Sequence, residues 1–154
     1  MAIVDMEVPN NIIKQFANLA DEAEEMIKEM TKAGAGTAAS NARASAPLPE
    51  IAGAVKLTRV YRTPSDGGIA TKVYISGYLP FKGKRKSFSR RNRQGGTMYT
   101  TDKGIPLDFL ANLYEYGRST APFPKKPFFR KSFNHGQITA AMNEVQERYL
   151  GGME

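Results

Sequence analysis

The chain of 154 residues contains no cysteine, no tryptophan and only one histidine, His135. Without cysteine it can form no disulfide, offer no thiolate nucleophile and bind no metal through a cysteine ligand. His135 lies in the segment FNHGQ, with no nucleophile, carboxylate or further metal ligand at a characteristic spacing from it. We therefore interpret His135 as a helix-capping or surface residue.

Long apolar runs are also missing. No stretch approaches the ~20 residues that span a bilayer, and the first residues, MAIVDMEVPNN, have neither the basic segment nor the apolar run of a signal peptide. The hydrophobic fraction of 41% is sufficient for a core, and the length is that of one domain. The sequence predicts a single soluble domain, residues 1–154, in a reducing compartment.

Acidic residues are absent from the stretch FKGKRKSFSRRNRQGG, residues 81–96. The chain has 22 Lys and Arg against 15 Asp and Glu, and without the seven cations of this stretch the remainder balances, 15 against 15. The basic character is therefore local. We call these cations the basic block: Lys82, Lys84, Arg85, Lys86, Arg90, Arg91 and Arg93.

The first segment has the opposite charge. Residues 10–33 place apolar side chains at three- and four-residue steps, which predicts an amphipathic helix. The apolar stripe consists of Ile12, Ile13, Phe16, Leu19, Ala20, Ala23, Met26, Ile27 and Met30. The opposite side, which we call the acidic face, carries Asp21, Glu22, Glu24, Glu25 and Glu29.

We expect this helix to continue to residue 46, because the following residues are small and Pro47 is the first proline that would end it. Gly34 and Gly36 each cost a helix interior about 1 kcal/mol relative to Ala. Close packing of another backbone, or a kink near residue 34, would account for them.

Two β-rich segments follow the helix. Residues 56–62 and 69–76 are rich in β-branched and aromatic residues, and turn-forming residues separate them, so they predict an antiparallel hairpin within 55–77. A short third strand is expected near residues 96–101. The segment 78–104 contains the basic block and is interpreted as an extended, functional or disordered loop.

Residues 106–133 read as a short helix followed by a segment rich in proline and phenylalanine, and a last amphipathic helix is expected at 137–150. This order predicts the α+β class, with a long N-terminal helix packed on a small antiparallel sheet and a C-terminal helix. After Pro127, the side chains of Phe128, Phe129 and Phe133 are expected to anchor the C-terminal part to the core or to a neighbouring molecule.

Two phosphate-binding patterns fail because of their context. GAGTAA at 34–39 has the spacing of a dinucleotide fingerprint, but an acidic helix precedes it instead of a strand. GYLPFKGKR at 77–85 is one residue too long for a phosphate loop, and Arg85 stands where a hydroxyl must bind Mg²⁺. The sequence predicts no catalytic residues, no cofactor and no metal, and hence a protein that is not an enzyme.

The residues leave three interpretations of the basic block open. It is a solvated loop, a contact for nucleic-acid phosphates with Phe81 and Phe88 stacking on bases, or a contact for an acidic protein surface such as the acidic face of another copy. Because seven like charges repel one another, we expect residues 82–93 to be mobile in the isolated subunit and ordered in an assembly. A loop offers neither a helix nor a ribbon for base readout in a groove.

The second half of the chain resembles a pattern in the head–tail connector proteins of long-tailed bacteriophages, also called neck, tail-completion or head–tail joining proteins. That family combines Glu, an aromatic residue and Gly with a later Pro-Phe, an apolar residue and Arg, ahead of a closing amphipathic helix. Its N-terminal helix ends in Ala-Pro, as Ala46-Pro47 does here. The matching motif positions are Glu115, Tyr116, Gly117, Pro127, Phe128 and Arg130.

The resemblance implies a structural virion protein, assembled in the host cytoplasm, that forms a homo-oligomeric ring between head and tail and helps to line the DNA channel. The implied partners are the portal-side adaptor and the tail-side neck proteins, with non-specific contact to DNA and none to a membrane. A closed ring uses contacts between unlike patches, and the acidic face and the basic block are such patches. The alternative is a small basic nucleic-acid-binding protein that acts through residues 82–93.

Overall fold

The computed structural model describes residues 10–91, 98–118 and 125–151 and has the predicted α+β architecture. The helices are α1 (Asn10–Ser45), α2 (Pro49–Ala54), α3 (Leu107–Tyr116), α4 (Phe129–Ser132) and α5 (His135–Gly151). The strands are β1 (Val55–Leu57), β2 (Tyr61–Arg62), β3 (Ile69–Ala70), β4 (Val73–Ile75), β5 (Tyr78–Leu79), β6 (Phe88–Arg91), β7 (Met98–Thr101) and β8 (Ile105–Pro106).

Helix α1 is uninterrupted and packs antiparallel against α5. Asn41 Nδ2 near the end of α1 donates to Gln137 Oε1 at 2.7 Å, whereas Glu29, further back along α1, pairs with Arg148 near the end of α5. A Cβ placed on Gly34 would lie 3.1 Å from side-chain atoms of Ile138 and Met142. Close packing therefore accounts for Gly34, although its neighbours are side chains of α5 and not a backbone.

The predicted hairpin is confirmed. Strand β1 pairs antiparallel with β4, and β2 pairs antiparallel with β3, so the two predicted β-segments lie antiparallel beside each other. The ladder is interrupted at Thr58 and Thr71, where Thr58 Oγ1 accepts from the Lys72 amide at 2.9 Å and Thr71 Oγ1 donates to the Thr58 carbonyl at 3.0 Å. The inner face of the hairpin packs on the alanine-rich part of α1. In this core cluster, Val55 of β1 lies with Ala39 and Ala42 of α1.

A second core cluster attaches the C-terminal part to this unit. It consists of Ile51, Ala54, Leu107, Ala111 and Phe128. Phe128 is buried and Phe129 packs half-buried against both clusters, so these two residues anchor the segment as predicted. Phe133 contributes less to this anchor, because it is 46% exposed; its ring packs edge-on against the Phe129 ring with the centroids 5.5 Å apart.

The interpretation of 78–104 as one extended loop is wrong. Strand β5 pairs with β8, and β6 pairs with β7, which is the third strand expected near 96–101. Charge repulsion within the block does not prevent the β6–β7 hairpin, because Phe88 is buried against Phe109 and Arg90 lies over aromatic rings. Arg93 lies outside the described residues.

Candidate assembly site

Glu115, near the end of α3, is the most buried charged residue of the described chain, at 4% exposure. Its Oε2 accepts from the amides of Phe128 and Phe129 at 2.9 and 3.0 Å. Its Oε1 accepts from the Arg130 amide at 3.3 Å and from Arg130 Nε at 2.8 Å. We call this arrangement the Glu115 clasp; it ties the start of α4 to the end of α3.

The clasp holds Glu115 in its ionised form. Burial disfavours the charged carboxylate and by itself would raise its pKa. The hydrogen bond from the Arg130 side chain and those from the three amides outweigh burial, so the pKa of Glu115 lies below its ordinary value. An acceptor that is occupied by four protein donors fixes a backbone turn, which is a structural role.

Gly117 and Tyr116 complete the clasp. Gly117 ends α3 with φ 76° and ψ −174°, a backbone region that is essentially restricted to glycine, and its amide donates to the Leu113 carbonyl at 2.8 Å. The Arg130 guanidinium lies 4.9 Å from the centre of the exposed Tyr116 ring. All six motif positions therefore belong to one structural unit, because Pro127 directly precedes the captured amides.

An open groove of about 290 Å³ adjoins the clasp between β4 and α3. Its lining includes Tyr74 of β4, Asn112 and Tyr116 of α3, and Arg130 of α4. Glu115 also lines the groove, although the residue is only 4% exposed.

The basic block forms part of a structured element, which we call the basic hairpin: residues 82–87 together with β6 and β7. Its inner face packs on α3, where the Phe88 and Phe109 rings lie 5.0 Å apart and Arg90 approaches Asp108 at 3.6 Å. Arg90 also lies 5.6 Å from the Tyr99 ring. Arg90 therefore has partners within its own subunit, and those on α3 come from a distant part of the sequence.

The outer face of the basic hairpin is exposed. It carries Ser89, Arg91, Met98 and Thr100, with Arg91 paired across the strands to Met98, which is 57% exposed. The preceding residues Lys82, Lys84, Arg85 and Lys86 are exposed as well. Arg85 lies 5.8 Å from the Phe88 ring and donates to the Ser87 carbonyl at 3.2 Å.

The described side chains in the first turns of α1 are not covered by the rest of the subunit. Every side chain described between residues 14 and 23 is exposed. We call residues 10–23 the arm. Of the apolar stripe, the described side chains of the arm are exposed, namely Leu19 at 46%, Ala20 and Ala23, and Met26 and Met30 further along are only half-buried.

The acidic face divides into two parts. Glu24 pairs with Lys28 at 2.7 Å and with Arg62, and Glu29 pairs with Arg148 at 2.8 Å, so these carboxylates bind to their own subunit. The Lys28 hydrogen bond is the main cause that holds the pKa of Glu24 below its ordinary value. Asp21, Glu22 and Glu25 are exposed and form no ion pair with a described residue.

Within the described ranges, no ion pair joins the acidic face to the basic block. The sequence did not reveal the actual partners, Asp108 for Arg90 and Arg62 for Glu24. Each stands many residues from the group it contacts, and no local spacing signals such a pair. Which charged residues of the acidic face and the basic block are paired within one subunit thus depends on the tertiary structure.

The rejected motifs lie in ordinary structural positions. GAGTAA is interior to α1, and His135 is the exposed first residue of α5. In the described part of the chain, no group of three or more His, Asp or Glu side chains could hold a metal ion. None of the described helices combines the length and apolarity needed to cross a membrane.

The chain matches no model of a known protein family, no curated protein and no solved structure.

Proposed function

We propose that the chain is a structural protein in the neck of a long-tailed bacteriophage, a ring-forming subunit that joins the head to the tail and helps to line the DNA channel. The observation that carries the proposal is the Glu115 clasp. The two motifs that resemble the connector proteins meet there, with Glu115 bound to the amides of Phe128, Phe129 and Arg130. A motif that closes a backbone turn fits a protein whose task is assembly.

The distribution of charge supports a ring. One subunit presents two unlike patches, the arm with Asp21 and Glu22 and the outer face of the basic hairpin with Arg91. Unlike patches give head-to-tail contacts, and such contacts close into a ring when the rotation between copies permits. Two copies of one patch would instead repel each other.

In this proposal the protein is located in the virion and assembles in the host cytoplasm. Its partners are further copies of itself, the portal-side adaptor and tail-side neck proteins. DNA that passes through the ring meets cations of the basic hairpin without sequence preference, since phosphate contacts are independent of base identity. The proposal includes no catalytic step.

Two measurements test the proposal. Negative-stain imaging of the full-length protein, alone and mixed with the neighbouring virion proteins, is expected to show ring-shaped particles. Phage whose gene for this chain is disrupted should accumulate DNA-filled heads and separate tails, and the wild-type gene supplied in trans should restore joining. Particles that assemble and infect normally without the chain would refute the neck function.

A second function is favoured by one observation, the β6–β7 pairing. The basic hairpin is a two-stranded ribbon with an exposed outer face, and a ribbon of this kind can enter a major groove. The expectation that this segment offers no ribbon is therefore wrong, and a small nucleic-acid-binding protein acting through residues 82–93 is the alternative proposal.

The affinity and sequence selectivity of DNA binding, together with the oligomeric state, separate the two functions. A nucleic-acid-binding protein would bind duplex DNA as a monomer or dimer, with an affinity that falls steeply with salt, and Lys84→Gln would reduce the slope of log K against log salt by about one. A neck subunit should bind DNA weakly and without sequence preference while it forms rings. Tight, sequence-selective binding in the absence of rings would favour the alternative.

A further inference from the structure

We propose that the arm of one copy docks on the outer face of the basic hairpin of a second copy. This inference names the contact through which the proposed ring would close, and so it rests on the proposed function. It adds an apolar component that the charges alone do not suggest, with Leu19 on one side and Met98 on the other.

The arm has the properties of an unpartnered docking helix. Its 14 residues extend about 21 Å at 1.5 Å per residue. The described side chains along it are all exposed, including Leu19, Ala20 and Ala23 on the apolar stripe. A helix without tertiary packing is only marginally stable in water, so covering this stripe stabilises the arm as well as the contact.

The basic hairpin offers a matching surface. On its outer face the exposed thioether of Met98 lies beside Arg91, and the neighbouring pair Ser89 and Thr100 is small, with their hydroxyl oxygens 3.0 Å apart. A flexible methionine adapts to an apolar partner. The inner face is already occupied by α3, so the outer face is the side available to another molecule.

The two surfaces are complementary in charge and in polarity. The arm presents Leu19 and Ala23 with Glu22 at the edge of the apolar stripe, one helical turn from Leu19, and the hairpin presents Met98 next to Arg91 and the lysines that precede β6. None of these charged groups has an ion-pair partner among the described residues of its own subunit. Each copy carries one surface of each kind, so every added copy leaves one arm and one hairpin for the next.

Reciprocal charge reversal tests the contact in full-length protein. The arm variant Asp21→Lys/Glu22→Lys and the hairpin variant Lys84→Glu/Arg91→Glu should each self-associate at least about tenfold more weakly than wild type in sedimentation at low salt. An equimolar mixture should recover association, because the unaltered hairpin of the first variant meets the unaltered arm of the second, and the two reversed surfaces also attract. The samples are treated with nuclease so that DNA cannot bridge the copies.

Matched controls carry the same charge changes elsewhere. Glu144→Lys/Glu147→Lys lies on the exposed side of α5, and Lys125→Glu/Lys126→Glu lies before α4. Both controls should associate as wild type does. Equal weakening in controls and test variants, or no recovery in the mixture, would refute the arm–hairpin contact.

Cross-linking locates the contact directly, because the wild-type chain has no cysteine. Leu19→Cys and Met98→Cys chains, mixed and treated with a short bismaleimide, should give a heterodimer in higher yield than a mixture of Leu19→Cys with Thr139→Cys on α5. Rings that form without this cross-link and resist both charge reversals would overturn this inference and leave the neck function intact. A wild-type protein that stays monomeric at high concentration and low salt would also overturn it, whereas the neck function is decided separately by the assembly of heads and tails.

Discussion

At the scale of single residues, Glu115 has the largest structural consequence. Four donors from the segment 128–130 converge on one carboxylate, so a single side chain determines where the chain returns after α3. The resemblance to the connector proteins picked out Glu115 as a motif position. The sequence spacing of the motif did not indicate that the partners of Glu115 are backbone amides. Only the approach of α4 to α3 supplies them.

Replacing Glu115 by Gln should lower the free energy of unfolding by about 2–3 kcal/mol at neutral pH, because the neutral amide loses the charged acceptor and turns an NH₂ group toward buried donors. The loss should shrink as the pH falls. The folded-state pKa of Glu115 is lowered, so its contribution is complete above the ordinary pKa near 4.5 and disappears as the pH falls through the folded value. Urea denaturation of both proteins between pH 7 and pH 3 measures this, with the exposed Glu147→Gln as control. A pH-independent difference would contradict the ionised clasp.

Phe128 and Phe133 provide a second comparison at this scale. Phe128→Ala should cost about 3–5 kcal/mol, since the ring is only 3% exposed and its loss leaves a cavity in the core. Phe133→Ala should cost far less, because nearly half of that side chain is already in water. Thermal denaturation compares the two. If Phe128→Ala leaves both melting temperature and assembly unchanged, the segment is a surface linker.

At the scale of elements, α1 is one helix with two environments. From Gly34 onward one face of α1 is buried between α5 and the sheet, at Ala38, Ala39 and Ala42, whereas the described side chains of the arm are exposed. The periodicity of the sequence is the same in both parts. Periodicity indicates which face is apolar, but the length of α5 and the position of the β2–β3 tip decide how much of that face is covered.

Gly34→Val and Gly36→Val test the packing of α1 on α5. Both substitutions change helix propensity equally, but only at Gly34 does a new Cβ come within 3.1–3.2 Å of Ile138 and Met142, while none of the described atoms lies within 4 Å at Gly36. We expect Gly34→Val to cost about 1–3 kcal/mol through overpacking and Gly36→Val to be nearly neutral. Chemical denaturation curves measure the difference. Equal stabilities would show that α5 yields freely at this site.

At the scale of the whole molecule, the net charge of +7 is unevenly distributed. The two charged patches stay apart within a subunit, and this separation makes both available to other molecules. Arg90 is the exception among the described cations of the block, because it packs against Phe109 and pairs with Asp108. A variant that removes Arg90 would also remove these contacts within the subunit, so it cannot separate an effect on the fold from an effect on the proposed assembly.

The lysines of the basic hairpin are better suited to distinguish an effect on assembly from an effect on the fold. Lys82→Gln/Lys84→Gln/Lys86→Gln lowers the net charge from +7 to +4, since three cations are removed. All three side chains are exposed, so the melting temperature should not change. Head–tail joining or DNA passage should be impaired. The cross-links that join these lysines in the wild-type protein to carboxylates of another copy, or to DNA, should be lost. Particle yield, infectivity and cross-linking mass spectrometry measure this. A variant that joins heads to tails at wild-type levels would leave the hairpin lysines as solvated surface groups.

The sequence by itself determined the α+β class, the length of α1, the β1–β4 and β2–β3 hairpin, the helix α5 and the burial of Phe128, because periodicity, prolines and turn residues are local signals. It also located the charge of 81–96. Only the tertiary structure decided that Phe88–Arg91 of this segment forms β6 and pairs with β7, because Phe109 and Asp108, which contact Phe88 and Arg90, belong to a separate helix. The same holds for the uncovered arm and for the amides around Glu115. Each depends on which elements pack together over long sequence separations, and no local pattern carries that information.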